Sequence, residues 1–199
     1  MNKQIQKSQP NRRYKSGFLS LTIDFIKITI GALIVVFFIR HFLVQPFFVK
    51  GRSMEPNFYD GDYLITNEFD YRFNVNPPKR GDVIVFKYPK DETKYFIKRI
   101  VGLPEETITI NDGNIIIYNK EFPNGIKLQE DYIAKSVFTS GNVSVTLGKE
   151  EYYVLGDRRF ESSDSRQWGP LDKKYIIGKV WTRIWPLDTV EIIKNPVNF

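Results

Sequence analysis

Two segments of the chain carry residue types that could perform nucleophilic catalysis. Ser53 lies in Gly51–Pro56, and Lys98 lies in Phe96–Val101. A serine hydroxyl is a weak nucleophile until a positioned base takes its proton, and a neutral lysine amine can be that base. The two residue types together predict acyl transfer, with Ser53 as the nucleophile and Lys98 as the general base.

The residues around Lys98 bear on whether its amine could be neutral. Strand alternation places Phe96, Lys98 and Ile100 on one face, so the amine would lie among apolar side chains. Desolvation disfavours the ammonium form and lowers the pKa of a lysine. A surface lysine beside Arg99 fits this strand equally well, and the strand alone does not decide between the two.

Composition argues against several other kinds of site. The chain has no cysteine, which excludes thiol catalysis, disulfides and thiolate metal ligands, and we expect neither a metal nor an organic cofactor. Its one histidine, His41, stands at the far end of an apolar span, as an interfacial residue near lipid head groups would. A Ser-His-Asp triad would require His41 to reach back from the membrane surface, so that triad is disfavoured.

The net charge of +6 is concentrated near the N-terminus. Residues 1–20 contribute +5 and residues 21–44 contribute +1, whereas residues 45–199 carry 22 basic and 22 acidic side chains. A basic tail before an apolar span follows the positive-inside rule and predicts a cytoplasmic N-terminus. Short basic clusters can also bind nucleic acid, but the remainder of the chain is neutral, and we predict no nucleic-acid partner.

The apolar span is short unless its flanks are included. The uninterrupted run Ile28–Ile39 has 12 residues, which alone would suit a buried core helix. Extension back to Phe18 gives 22 residues, interrupted by Asp24 and Lys27, which lie on one helix face and can pair. Such a helix reaches roughly 33 Å, enough to cross a bilayer. A cleaved signal peptide is the competing interpretation, but residues 40–46 contain no small-x-small cleavage site.

We therefore predict three regions. They are a disordered cytoplasmic tail over 1–17, a single uncleaved transmembrane anchor over 18–43, and an extracytoplasmic domain over 45–199, with membrane lipid as a partner. Short β-branched and aromatic runs bounded by Pro, Gly and Asp predict that this domain is mainly β. We expect a smaller inserted β subdomain at about 107–150.

Two hairpins are predicted from local patterns. Thr107–Ile110 and Ile115–Tyr118 flank a turn whose central Asp-Gly pair can adopt positive φ. Val143–Leu147 and Tyr152–Leu155 flank a four-residue connection and suggest a second hairpin.

Three segments then resemble the conserved boxes of type I bacterial signal peptidases. They are residues 40–58, Lys98–Pro104 and Gly156–Gly169, and they occur in the order found in that family. The resemblance runs from the anchor almost to the C-terminus. Any one box is a modest signal, but three boxes in order behind a membrane anchor are a strong one.

The resemblance implies roles for individual residues. Ser53 matches the nucleophile of the family and Lys98 its general base, while Ser162 matches a serine that hydrogen-bonds the lysine amine. Asp164 and Arg166 match a supporting ion pair that fixes their loop against the catalytic strand. Five further residues fall where the family builds shallow substrate pockets, although each could equally be core packing: Phe47, Val49, Met54, Phe58 and Ile97.

The resemblance also implies the substrate. We expect a secretory preprotein, bound in extended form, with small residues at positions −1 and −3 of the cleavage site. The chain departs from the family at Gly51, where part of the family has a serine that donates to the oxyanion. Further departures lie at Arg158, at Glu105-Glu106 and at Asn57-Phe58.

Two other functions remain as alternatives. A non-catalytic relative that assists assembly of surface polymers would lack the serine or the lysine, and both are present. A self-cleaving transcriptional regulator also uses a serine and a lysine, but it would need a DNA-binding helical module where this chain has an apolar span.

Overall fold

A computed structural model describes residues 13–42, 44–72 and 75–195. Within these ranges the chain forms twelve strands, listed here in chain order: β1 (Val44–Phe48), β2 (Tyr63–Asn67), β3 (Val83–Tyr88), β4 (Asp91–Gly102), β5 (Thr107–Asn111), β6 (Asn114–Tyr118), β7 (Ile126–Lys127), β8 (Val143–Thr146), β9 (Glu151–Leu155), β10 (Leu171–Asp172), β11 (Ile176–Trp185) and β12 (Glu191–Ile192). The predicted mainly β architecture is confirmed.

Helical segments are few after the first one. The described residues contain three α-helices, which are α1 (Arg13–Phe42), α2 (Phe69–Arg72) and α3 (Ser165–Trp168). Three single 3-10 turns lie at Arg159–Glu161, Lys173–Tyr175 and Leu187–Thr189. The chain divides into two compact units, one on each side of the bond between His41 and Phe42.

Helix α1 is long and apolar enough to cross a membrane. The window Ser20–Phe37 meets that requirement, and the large apolar side chains along it are exposed, as those of a lipid-facing helix would be. Lys27 Nζ lies 3.5 Å from a carboxylate oxygen of Asp24, so the predicted pairing along one helix face is confirmed.

The prediction of a disordered tail over 1–17 is wrong for residues 13–17. These residues form the first turn and more of α1, because adding residues to an existing helix is far easier than starting one. Residues 1–12 lie outside the described part of the chain.

The second unit is built on an eight-stranded sheet. Its strand order is β1-β2-β11-β3-β4-β9-β10, and β12 pairs with β11. All the pairings of this sheet are antiparallel. β4, which carries Lys98, pairs with β3 along most of its length but with β9 only from Arg99 onward.

A separate four-stranded sheet, in the order β7-β6-β5-β8, lies between β4 and β9 in the sequence. The predicted first hairpin is confirmed, since β5 pairs with β6 across a turn in which Asp112 has φ +48° and Gly113 has φ +78°. We refer to β5–β8 as the small sheet and to the eight-stranded sheet as the large sheet.

The predicted second hairpin is wrong. β8 pairs with β5, with Val145 opposite Ile108, whereas β9 pairs with β4 and β10 in the large sheet. Half-buried and exposed residues alternate along β8, as in an edge strand with one face packed on the isoleucines of the small sheet. β9 is almost wholly buried and requires a hydrogen-bonded strand on each side. Its neighbours are therefore determined by burial and not by proximity in the sequence.

Candidate active site

Ser53 lies in a tight loop that follows β1. Main-chain bonds tie the start of this loop to the segment before β2, with Val49 N–H donating to Asp62 O at 2.9 Å and Gly61 N–H to Val49 O at 3.0 Å. Gly51 has φ +93° and its N–H donates to an Asp60 carboxylate oxygen at 2.7 Å. The next side chain, Met54, is 1% exposed, so the loop is anchored in the core immediately after the serine.

Lys98 reaches Ser53 from β4. Its Nζ lies 2.7 Å from Ser53 Oγ and 2.8 Å from the carbonyl oxygen of Ile97. The lysine is 4% exposed, and its amine lies 5.4 Å from the centre of the Phe96 ring. Of the two placements that the strand pattern left open, the structure has the buried one, beside the ring of Phe96.

The electrostatic setting of Lys98 favours a neutral amine. Burial lowers the pKa of Lys98 to about 8, while the negative charges of Asp164 and Asp157 act in the opposite direction. The amine is therefore partly neutral near pH 7 to 8 and can accept a proton from an adjacent hydroxyl.

Ser162 does not make the hydrogen bond expected of it. It is buried at 7% exposure, but its Oγ has no hydrogen-bond partner among the described residues. The hydroxyl lies against Gly156, where an added Cβ would approach it to 2.2 Å and the carbonyl oxygen of Ser53 to 2.5 Å. Gly156 thus allows the loop of Ser162 to approach the main chain of the serine loop closely.

Asp164 and Arg166 form the ion pair that was expected. Arg166 Nε and Nη2 each lie 2.8 Å from an Asp164 carboxylate oxygen, and Asp164 is fully buried. Asp164 also accepts from the N–H of Gly156 at 3.1 Å. The pair therefore braces the loop that follows β9, and β9 is the direct neighbour of β4.

Sequence reasoning missed a second buried ion pair beside the site. Arg99 donates through Nε and Nη2 to the two carboxylate oxygens of Asp157, at 2.8 and 2.6 Å. Asn57 Nδ2 donates to the same carboxylate at 2.8 Å, and the guanidinium stacks on the ring of Tyr132 at 4.1 Å. The sequence signal for this pair was the position of Arg99 directly after Lys98. Alternation directs the Arg99 side chain to the opposite face of β4, and a charge buried there requires an oppositely charged partner.

Arg159 is the other buried cation that sequence reasoning missed. It is 2% exposed, donates to Gly156 O at 3.0 Å and pairs with the carboxylate of Glu130. It also donates to the hydroxyl of Thr139. Glu130 and Thr139 belong to the segment between β7 and β8, so Arg159 fixes the loop after β9 to the small-sheet region.

A cleft of about 760 Å³ opens beside Ser53 and Lys98. Its walls come from the end of β1, the serine loop, the exposed half of β4 and the loop after β9. Of the five predicted pocket residues, Phe47, Val49 and Ile97 line this cleft. Met54 and Phe58 do not line it; they are buried in the hydrophobic cluster that includes Leu64, Val83 and Val180.

Most of the chain is similar to known proteins of one family. The family model described as "Signal peptidase, peptidase S26" matches residues 22–185. Signal peptidase I P of Bacillus subtilis subsp. natto is 34% identical over 183 residues, covering 86% of this chain and 94% of that protein. Probable signal peptidase I-2 of Synechocystis is 34% identical over 176 residues, covering 85% and 76%.

Two further matches have lower identity. Signal peptidase IB of Staphylococcus aureus is 30% identical over 178 residues, covering 84% of this chain and 91% of that protein. A crystal structure of a signal peptidase I from Enterococcus faecalis is 29% identical, with a TM-score of 0.45, and covers 53% of this chain and 97% of that one.

Proposed function

The chain belongs to the signal peptidase S26 family, and we propose that it is a membrane-bound serine endopeptidase that removes N-terminal signal peptides from exported preproteins. In this proposal Ser53 is the nucleophile and Lys98 is the general base. The observation that carries the proposal is the distance of 2.7 Å between Lys98 Nζ and Ser53 Oγ, with Lys98 4% exposed and the half-buried Ser53 lining the cleft.

Acylation follows from the hydrogen bonds of the two residues. With the amine neutral, one N–H donates to Ile97 O and the lone pair faces the Ser53 hydroxyl. Ser53 Oγ attacks the scissile carbonyl carbon as its proton moves to Lys98 Nζ. The ammonium then returns that proton to the leaving amine, the C–N bond breaks, and the signal peptide remains attached to Ser53 as an ester.

Deacylation uses the same amine a second time. Neutral Lys98 takes a proton from a water molecule that attacks the ester carbonyl, and Ser53 Oγ leaves with the proton restored. Both steps place negative charge on the carbonyl oxygen. The N–H of Ser53 takes part in none of the hydrogen bonds among the described residues, so it is available to that oxygen. Gly51 offers no second donor, because its N–H is bound to Asp60.

Two strand edges beside the cleft suit an extended substrate. Within the described residues, β1 pairs only with β2, and the half of β4 before Arg99 pairs only with β3. A preprotein segment lying along these free edges gains main-chain hydrogen bonds, and its alternate side chains enter the cleft. The apolar wall of Phe47, Val49 and Ile97 favours small uncharged residues at −1 and −3.

We further propose that α1 is the membrane anchor, with the basic N-terminal tail in the cytoplasm and the β domain outside it. The support is the apolar window Ser20–Phe37 together with the excess of basic residues before it. Anchoring restricts enzyme and membrane-inserted precursor to the same surface, which raises their effective concentration.

A cleavage assay tests the proposed function. The full chain in detergent micelles is mixed with a secretory precursor that has alanine at −1 and −3, and the products are identified by mass. Wild type should cut after the −1 alanine, and Ser53→Ala should lose this activity completely while remaining folded. Ser144→Ala, an exposed serine on β8, is the matched control and should cleave like wild type. Wild-type turnover by Ser53→Ala would refute the nucleophile assignment.

A further inference from the structure

The serine and the lysine come from separate parts of the large sheet. Ser53 is carried by the loop between β1 and β2, whereas Lys98 is carried by β4, 45 residues away in the sequence. β2 and β4 are not neighbours, because β11 and β3 lie between them. The distance between the two reacting atoms therefore depends on how firmly the serine loop is held against the elements next to β4.

The loop after β9 is the element that meets the serine loop. β9 pairs with β4 at Arg99 and Ile100, so Gly156–Arg158 begins next to the strand that carries Lys98. The N–H of Arg158 donates to the carbonyl oxygen of Ser53 at 3.0 Å. This main-chain bond is one direct link between the loop and the nucleophile.

The side chain of Arg158 makes a second link, two residues further along the serine loop. Its Nη1 donates to one carboxylate oxygen of Glu55. The other oxygen of Glu55 accepts from Arg52 Nε at 2.8 Å, so a single carboxylate joins two arginines. The side chains of Arg158 and Glu55 are 16% and 17% exposed, so the pair is more ordered and less solvated than a fully exposed one.

We propose that Glu55 and Arg158 form a clamp that positions Ser53 against Lys98. The inference rests on the proposed function, since it assigns these two residues to the same reaction. Neither residue lines the cleft, so neither is placed to contact an extended substrate there. They are positioning residues: they act on the chemistry through the main chain of Ser53 and Arg158.

The clamp is separate from the buried support beside it. Asp157, the residue before Arg158, is held by Arg99 and by Asn57 and stays bonded to both if the clamp is removed. The Arg52 hydrogen bond and both arginine charges favour ionised Glu55 and hold its pKa below the usual range. The clamp therefore remains ionised wherever Lys98 is neutral.

Steady-state kinetics with three variants test the clamp. Arg158→Met keeps the aliphatic stem and removes the guanidinium, and Glu55→Gln keeps the shape and removes the charge. Each should lower kcat about 10- to 100-fold, because small displacements of reacting groups have effects of that size, and KM should change less than about twofold. The loss of kcat in the double variant should be well below the product of the two single losses, because either change alone removes the contact between Glu55 and Arg158. Only the separate contacts of Glu55 with Arg52 and of Arg158 with Glu161 can add to it.

Two controls separate positioning from a general loss of folding. Arg158→Lys retains a cation within reach of Glu55 and should recover most of the lost kcat. Lys174→Met removes an exposed cation far along the chain and should leave kcat unchanged. The pH at which kcat/KM reaches half its maximum should stay the same in Arg158→Met, because the burial of Lys98 is unaltered.

Several outcomes would overturn the clamp. They are wild-type kcat in Arg158→Met, multiplied losses in the double variant, or recovery of Arg158→Met to wild-type kcat on cooling well below its unfolding temperature. All of these are distinct from failure of the proposed function. If wild type does not cleave the precursor, or if Ser53→Ala does, the proposed function fails before the clamp is tested.

Discussion

The small sheet and the large sheet bury different kinds of side chain. The core of the small sheet is apolar, with Ile108, Ile110, Ile115 and Ile117 all at most 2% exposed. The large sheet also has an apolar core, but around β4 and the loop after β9 it buries charged groups at 4% exposure or less: Lys98, Arg99, Asp157, Arg159 and Asp164.

This difference separates stabilisation from function. A buried isoleucine contributes through the area it removes from water and requires no particular partner. A buried charge costs free energy unless specific partners surround it, and Arg99, Arg159 and Asp164 each have such partners. Lys98 is the exception, since it faces a hydroxyl and a carbonyl rather than a carboxylate. This setting lowers the pKa of Lys98, as the proposed role of a general base requires.

The largest expected effect is that of Lys98→Met. This change keeps the apolar bulk of the stem and removes the amine, so cleavage should fall at least about 1000-fold, since both acylation and deacylation lose their base. The same change should stabilise the protein. The pKa of Lys98 is lowered from 10.5 to about 8, so protonating it disfavours the folded state by about 3 kcal/mol below pH 8.

The stability effect has a defined pH window. Because the folded-state pKa is depressed, the cost of the charged amine is fully present below about pH 8 and fades as the pH rises towards 10.5. Part of the gain is lost with the two hydrogen bonds, so we expect a net stabilisation of about 1–2 kcal/mol in urea unfolding at pH 7. At pH 10 most of the charge cost has gone while the hydrogen-bond loss remains, so Lys98→Met should there destabilise the protein by up to about 1 kcal/mol. Lys174→Met, at an exposed lysine, should change neither the cleavage rate nor the free energy of unfolding. Destabilisation by Lys98→Met at pH 7 would contradict the contrast between the two regions.

The hairpin of the apolar small sheet could be predicted from the sequence. Most of the buried ion pairs around β4 and the loop after β9 could not. The Asp-Gly pair predicts the turn between β5 and β6, because such a turn depends on interactions between near neighbours in the chain. The pattern of β4 leaves open whether Lys98 is buried, and residues 98–102 are all buried, on both faces of the strand.

The rest depends on contacts between distant segments. The hydrogen bond between Asn57 and Asp157 joins residues 100 positions apart, and no periodic pattern in the sequence predicts it. Met54 and Phe58 are apolar residues close to Ser53 in the sequence, and only packing against distant residues such as Val180 shows that they belong to the core. The pairing of β9 with β4 is likewise a contact between distant segments, and it follows from the burial of both strands in the large sheet.

The pH dependence of cleavage should follow the titration of Lys98, which belongs to the charged region of the large sheet. In the proposed mechanism only the neutral amine of Lys98 takes the proton, so kcat/KM should rise about tenfold per pH unit below pH 8 and level off above it, with a midpoint at the Lys98 pKa of about 8. The measurement is initial rates at low substrate from pH 6 to 10. A profile that stays flat from pH 6 to 9 would rule out a buried neutral lysine as the base.

The smallest expected effect lies in the apolar region, where Ile117→Val removes one methyl group from a side chain that is 0% exposed. The free energy of unfolding should fall by about 1 kcal/mol, and kcat/KM should stay within twofold of wild type. Ile116→Val is the matched control, because it makes the same change on the other, half-buried face of β6 and should cost less than about 0.5 kcal/mol.

The result for Ile117→Val also measures how far the two regions are independent. Val101 of β4 and Leu155 of β9 pack in the same cluster as Ile117, and Val101 is three residues from Lys98. If packing in the small sheet were transmitted to the amine, the methyl deletion would lower kcat/KM together with stability. We expect the two to separate, because the ladder between β3 and β4, with Ile84 opposite Lys98, holds the lysine main chain independently of that cluster.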